Sequence, residues 1–141
     1  MENKDVEVMS VDSWDEKEIM DLYKSAGWWE EYDEISEIKT IIKNSCVFVV
    51  AYDKNLKKAV GMARLLSDGV SDAYIQDVYV IEDYRKIGLG TKLIIFLIKF
   101  CKKKGISWIG LIAKPNQNNF YSKFGFKKMK NYIPMKYSFE G

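Results

Sequence analysis

The feature that most constrains this sequence is a strand-like run that turns through two glycines into a long apolar helix. Tyr74 to Ile81 reads as a strand, Glu82-Asp83-Tyr84-Arg85-Lys86-Ile87-Gly88-Leu89-Gly90-Thr91 follows, and a helix is expected from about Leu89 to Lys104. In that helix Leu89, Leu93, Leu97 and Cys101 align on one face, and Ile94, Ile98 and Phe100 widen it, so the helix must be largely buried. Gly105 is its C-terminal stop. At the other end the first amide groups of a helix have no internal partners, and its dipole places partial positive charge at the same point. Such a terminus suits a pyrophosphate. Gly88 and Gly90 would let phosphates approach the backbone, while Arg85 and Lys86 add charge at the rim. The bland alternative is a tight turn that needs glycine for its backbone alone. Two nucleotide-binding motifs fail on the residues: a Walker A loop needs Gly-Lys followed by Ser or Thr, whereas Gly90 is followed by Thr91-Lys92. A dinucleotide fold needs a third glycine and two βαβ halves, for which too little chain follows Gly90.

The 141 residues, 48% of them apolar, fit one domain over 1–141 with one two-layer core. Val6 to Val11 reads as a first strand. Ser13 and Glu16 form a capping box ahead of Ile19, Leu22, Tyr23 and Ala26 at helical spacing, broken at Gly27. Ile35, Ile38, Ile41 and Ile42 mark a second helix ending near Asn44. Cys46 to Tyr52 and Ala59 to Leu66 read as a hairpin across Asp53-Lys54-Asn55. After the long helix, Ser107 to Ala113 is a strand, Asn116 to Phe124 a short helix, and Phe126 to Lys130 and Met135 to Phe139 two terminal strands. The expected order is βααβββαβαββ, a mixed sheet with helices on both faces.

Charge and composition exclude several functions. The net charge of +2 gives no field that would hold nucleic acid, and Lys102-Lys103-Lys104 and Lys127-Lys128 read as solvated faces. With no histidine, His-based triads and zinc proteases are ruled out, and no metal is expected. Cys46 and Cys101 lie in apolar runs, as reduced thiols of a cytosolic protein do. Met1 to Asp5 lacks a signal-peptide pattern, and the apolar stretch Leu93 to Ile98 is far short of the roughly 20 residues that span a bilayer. A cytoplasmic protein without membrane attachment is expected.

The chain resembles the GCN5-related N-acetyltransferase (GNAT) superfamily, whose acetyl-CoA motif is Gln/Arg-x-x-Gly-x-Gly/Ala. Arg85, Gly88 and Gly90 fill that motif; Val78-Tyr79-Val80 stands where the family has a V-x-V strand; and Asn119 to Phe126 is similar to its F-Y-x-K-x-G-F signature. The element order agrees over essentially the whole chain. The resemblance implies an α/β (α+β) GNAT fold, with a mixed, mostly antiparallel sheet of six to seven strands flanked by about four helices. It implies acetyl-CoA as cosubstrate and direct transfer of acetyl to a primary amine, with a homodimer left open. An acyl-CoA-binding module without catalysis, and an acetyltransferase for protein N-termini or lysines, are the alternative readings.

Site residues follow from the same resemblance. Backbone groups of Val78, Tyr79 and Val80 would hold the pantetheine. The turn from Arg85 through Lys86, Ile87, Gly88 and Leu89 to Gly90 and Thr91 would hold the pyrophosphate. Asn116 or Asn118 would reach the pantetheine, unless Asn116 merely caps the short helix. Tyr121 matches the family's general acid, with a phenol pKa of roughly 10 against roughly 8.5 for the leaving thiol. Asp77, a charge within an apolar strand, is the candidate general base, or else an aspartate tied to donors at a bulge. The aromatic, acidic loop carrying Trp28, Trp29, Glu30 and Glu31 would take the acceptor, a small-molecule amine or polyamine, by cation–π and ionic contacts, unless one tryptophan packs in the core and the acids are solvated.

Overall fold

The computed structural model describes residues 4–140, so Met1, Glu2, Asn3 and Gly141 of the expected 1–141 domain lie outside the described residues. Five strands form one sheet in the order β1-β2-β3-β4-β5, namely Val6–Ser10, Val47–Asp53, Lys58–Ser67, Asp72–Val80 and Trp108–Gly110. The first four pair antiparallel, and β5 runs parallel to β4. Helices α1 (Glu16–Ser25) and α2 (Ser36–Asn44) separate β1 from β2. A single 3-10 turn (Glu82–Tyr84) and α3 (Leu89–Lys104) lead from β4 to β5, and α4 (Asn118–Ser122) follows.

Strand pleat sorts the core into two layers, because successive side chains point to opposite faces. From β2, Val47, Val49 and Ala51 join Leu89, Leu93, Leu97 and Cys101 of α3 on one face. Phe48 and Val50 join Ile19 and Leu22 of α1 and Ile38 and Ile42 of α2 on the other. β2 is thus covered on both sides, which is why it reads as an unbroken apolar run. Tyr84 donates its hydroxyl proton to the buried Asp53 carboxylate, which also accepts the amides of Asn55 and Leu56 at 2.8 and 3.1 Å and closes the β2–β3 turn. These hydrogen bonds hold the Asp53 carboxyl below its ordinary value. Among the described residues no helix is long and apolar enough to cross a membrane.

Two expectations are corrected. The described sheet has five strands, not six to seven: Phe126 to Lys130 and Met135 to Phe139 join no ladder. Met135, Tyr137 and Phe139 do alternate, yet they are 90, 75 and 93% exposed, so no face receives them. Alternation sets which face a side chain takes; only a neighbouring edge makes a strand, and β5 is just three residues long. The helix α1 begins at Glu16, which leaves Ser13 too far upstream to cap it. Asp15 caps instead, accepting the Glu18 amide at 3.0 Å.

Candidate active site

β4 and β5 pair only where Asp72, Ala73 and Tyr74 face Trp108, Ile109 and Gly110. Beyond that point a cleft of about 630 Å³ lies along the rest of β4, from Tyr74 to Val80, closed on its far side by Leu111, Lys114, Gln117 and Tyr121. An irregularity in β4 accompanies this opening. Met62 faces Tyr79 but Arg64 faces Gln76, so Asp77 and Val78 share the single position opposite Ala63. Asp77 occupies the left-handed region at φ +55, which disfavours a residue with a Cβ. Its side chain is held from two sides: Oδ2 accepts from Arg64 Nε at 2.6 Å and from the Tyr23 hydroxyl at 2.8 Å. The Tyr23 phenol is pushed above its ordinary value, first by burial and then by the Asp77 charge beside it. Next along the strand, the Tyr79 hydroxyl lies 2.6 Å from Ser25 Oγ, so the end of α1 is fastened to the bulge twice.

The glycine turn has the expected form for separate reasons at its two glycines. Gly88 is the N-cap of α3 at φ +85, with Lys86 also left-handed at φ +68, and no side chain caps the helix. The first bond of the helix runs from the Lys92 amide to Gly88 O at 3.0 Å, so the amides of Leu89, Gly90 and Thr91 precede it. A Cβ on Gly88 would meet nothing within 4 Å, so the space beside it is open. Gly90 answers a packing demand, since a Cβ there would lie 3.2 Å from Phe120 Cζ of α4. Arg85 is less a free rim charge than a brace: Nε donates to Val80 O at 2.9 Å, and the guanidinium lies 5.5 Å from the Tyr79 ring centroid. Lys86 and Ile87 are exposed.

Strand alternation divides the cleft between the two faces of the sheet. Val78, Val80, Phe120 and Tyr121 belong to the α3 face, and Tyr79 and Trp28 to the α1/α2 face. Tyr121 is half-buried, 5.0 Å from the Phe120 ring centroid and 6.0 Å from that of Phe126, and burial pushes its phenol upward. Pro115 and Gln117 line the cleft, whereas the neighbouring Asn116 and Asn118 are exposed and do not; Asn116 is left-handed at φ +68 and makes no cap to α4. Of the aromatic, acidic loop only Trp28 reaches the cleft. Trp29 packs against the α1/α2 core, and Glu30 and Glu31 are solvent-exposed, the Glu30 amide donating to Asp33 Oδ2 at 2.7 Å.

Three residues of this assembly escaped the sequence reading. Lys114 places Nζ 4.5 Å from the Trp28 ring centroid, and both residues line the cleft. Arg64 and Tyr23 hold Asp77. Arg64 carried a readable signal, a lone charge inside an apolar strand next to the strand bearing Asp77, while Tyr23 and Lys114 carried none.

A profile of the acetyltransferase (GNAT) family matches residues 9–126. The uncharacterised N-acetyltransferase ycf52 of Pyropia yezoensis is 34% identical over 130 residues, which cover 91% of this chain and 74% of that protein. Among solved structures, a GNAT-family acetyltransferase from Streptococcus pneumoniae superposes with a TM-score of 0.79 at 22% identity, covering 94% of this chain and 97% of that one. Glucosamine-6-phosphate N-acetyltransferase from Arabidopsis thaliana gives 0.76 at 17% identity, covering 96% and 99%. At such identities the two structures speak to the fold alone.

Proposed function

Because the chain belongs to the acetyltransferase (GNAT) family, we propose that it is a single-domain enzyme that moves acetyl from acetyl-CoA to the primary amine of a small molecule, by direct attack of nitrogen on the thioester. The observation that carries this reading is the cleft between β4 and β5, lined by Tyr121 on the α3 face and by Trp28 and Tyr79 on the other, with Arg85 leading from it into the uncapped glycine turn. A donor and an acceptor can meet there from opposite sides. The turn fits a diphosphate: open space lies beside Gly88, and the amides from Lys86 to Thr91 lie at the positive end of α3. Backbone groups of Val78, Tyr79 and Val80 would hold the pantetheine along the free edge of β4. Bound there, the cosubstrate supplies the activated acetyl group.

The chain's own residues then move two protons. As the N–C bond forms and the C–S bond breaks, Tyr121 gives its hydroxyl proton to the departing sulfur and is restored by the proton that the newly acylated nitrogen releases; burial keeps that phenol protonated through the neutral range. The acceptor ammonium must lose a proton before it attacks, and Asp77 is the one carboxylate among the described residues lining the cleft. Its Oδ2 is committed to Arg64 and Tyr23, which leaves Oδ1 to take the proton, directly or through water. The test is thiol release from acetyl-CoA against a panel of amines, with calorimetry of acetyl-CoA binding. Tyr121→Phe should cut turnover roughly 100-fold or more with cofactor affinity kept. Equal turnover in the variant would remove Tyr121 from the chemistry, and absence of binding to the wild type would overturn the whole reading.

A further inference from the structure

Resting on that acetyltransferase reading, we propose that the acceptor is an amine bearing an anionic group, a carboxylate or a phosphate, and that Lys114 binds that group. Three ionic side chains line the cleft: Asp77, Arg85 and Lys114. Asp77 is already matched by Arg64 at 2.6 Å and by the Tyr23 hydroxyl. Arg85 is braced against Val80 O and Tyr79, at the end of β4 that leads into the glycine turn. Lys114 differs from both. Among the described residues it pairs with no carboxylate, and its Nζ lies 4.5 Å from the Trp28 ring centroid.

The position matters as much as the charge. Trp28 packs on Tyr23 and Tyr79, at centroid distances of 6.2 and 6.0 Å, on the α1/α2 face. Lys114 therefore stands at the acceptor mouth, across the sheet from the amides of α3 that suit the donor's diphosphate. An ammonium resting on an indole sheds part of its hydration and keeps N–H donors for an anion. The same contact occupies the Trp28 indole, the ring on which the acidic loop would have received a cationic substrate. Glu30 and Glu31, which would have attracted a polyamine, lie outside the cleft in solvent. A polycation thus meets a lysine and finds no unmatched carboxylate; an amine with a carboxylate or phosphate meets a complementary charge that also orients its nitrogen toward the gap.

Paired acceptors test this. Thiol release would be measured for an amino acid against its carboxamide, for a hexosamine phosphate against the hexosamine, and for spermidine, with the wild type, Lys114→Met and Lys114→Glu. The wild type should favour one anionic member over its neutral partner by roughly tenfold or more in kcat/KM. Which pair shows the preference tells carboxylate from phosphate. Lys114→Met should erase the preference through KM, and Lys114→Glu should shift it toward spermidine, with acetyl-CoA affinity by calorimetry unchanged in both. Indifference of the wild type within both pairs, a preference for spermidine, or a preference that survives Lys114→Met overturns the proposal. Should acetyl-CoA bind while no acceptor reacts, the transfer reading fails separately. Titration of tryptophan emission then decides the anion site: saturable quenching by an anionic member that is lost in Lys114→Met supports it, and no quenching overturns it.

Discussion

Asp77 keeps a left-handed backbone because two donors outweigh the strain. Such a conformation costs on the order of 1–3 kcal/mol, and the Arg64 and Tyr23 bonds offset it from within the fold. Tyr23 should record this arrangement in alkaline solution. Its folded-state pKa is raised above the unfolded value of roughly 10, so the stability linked to its protonated form is complete below about pH 10 and is lost as pH rises beyond it. Urea midpoints of the wild type should therefore fall between pH 9 and 11 more steeply than those of Tyr23→Phe, and parallel slopes would contradict the linkage. Gly88 offers a cleaner backbone experiment, since a methyl there touches nothing. Gly88→Ala should cost about 1 kcal/mol of unfolding free energy by urea denaturation, purely from φ +85. Sequence reading reached Asp77 as an oddly placed charge and named a bulge as one explanation. It did not reach Arg64 as the partner, because the register shift that brings the two together leaves no mark on residue spacing.

At the scale of elements, α3 was legible to its limits, Leu89–Lys104, because three independent signals agree there: helical periodicity, Gly88 before the first turn and Gly105 after the last. Its buried face joins β2 and the middle strands. Leu97 is wholly inaccessible, and Leu97→Ala should cost roughly 2–5 kcal/mol, read from the shift in chemical denaturation midpoint. A loss under 1 kcal/mol would mean that the layer can collapse around the gap. The terminal segments mark the opposite case. Their alternation is a local property, whereas a ladder is made by a neighbour that local pattern does not specify. The acidic loop after α1 shows the same limit: composition suggested a binding surface, but only Trp28 is turned into the cleft by the end of α1, where its amide bonds Tyr23 O at 2.9 Å.

Across the whole molecule, the order of the first nine elements was readable because each strand or helix carries its own period, and family resemblance added the expectation of a donor at the glycine turn. The contact between Trp28 and Lys114 was not readable. Trp28 and Lys114 are far apart in the chain and meet only when α1 and the segment after β5 are set against one sheet. That sheet is seamed unevenly. β2 and β3 share seven paired positions with a single irregularity, while β4 and β5 share three and then part. Deuterium uptake should accordingly be faster at the amides of Trp108, Ile109 and Gly110 than through the middle of β2, and saturating acetyl-CoA should slow it. A short hydrogen-bonded hem of this sort ties β5 and the segment after it to the sheet only lightly, so that a ligand threaded along the opening would act as the missing stitches.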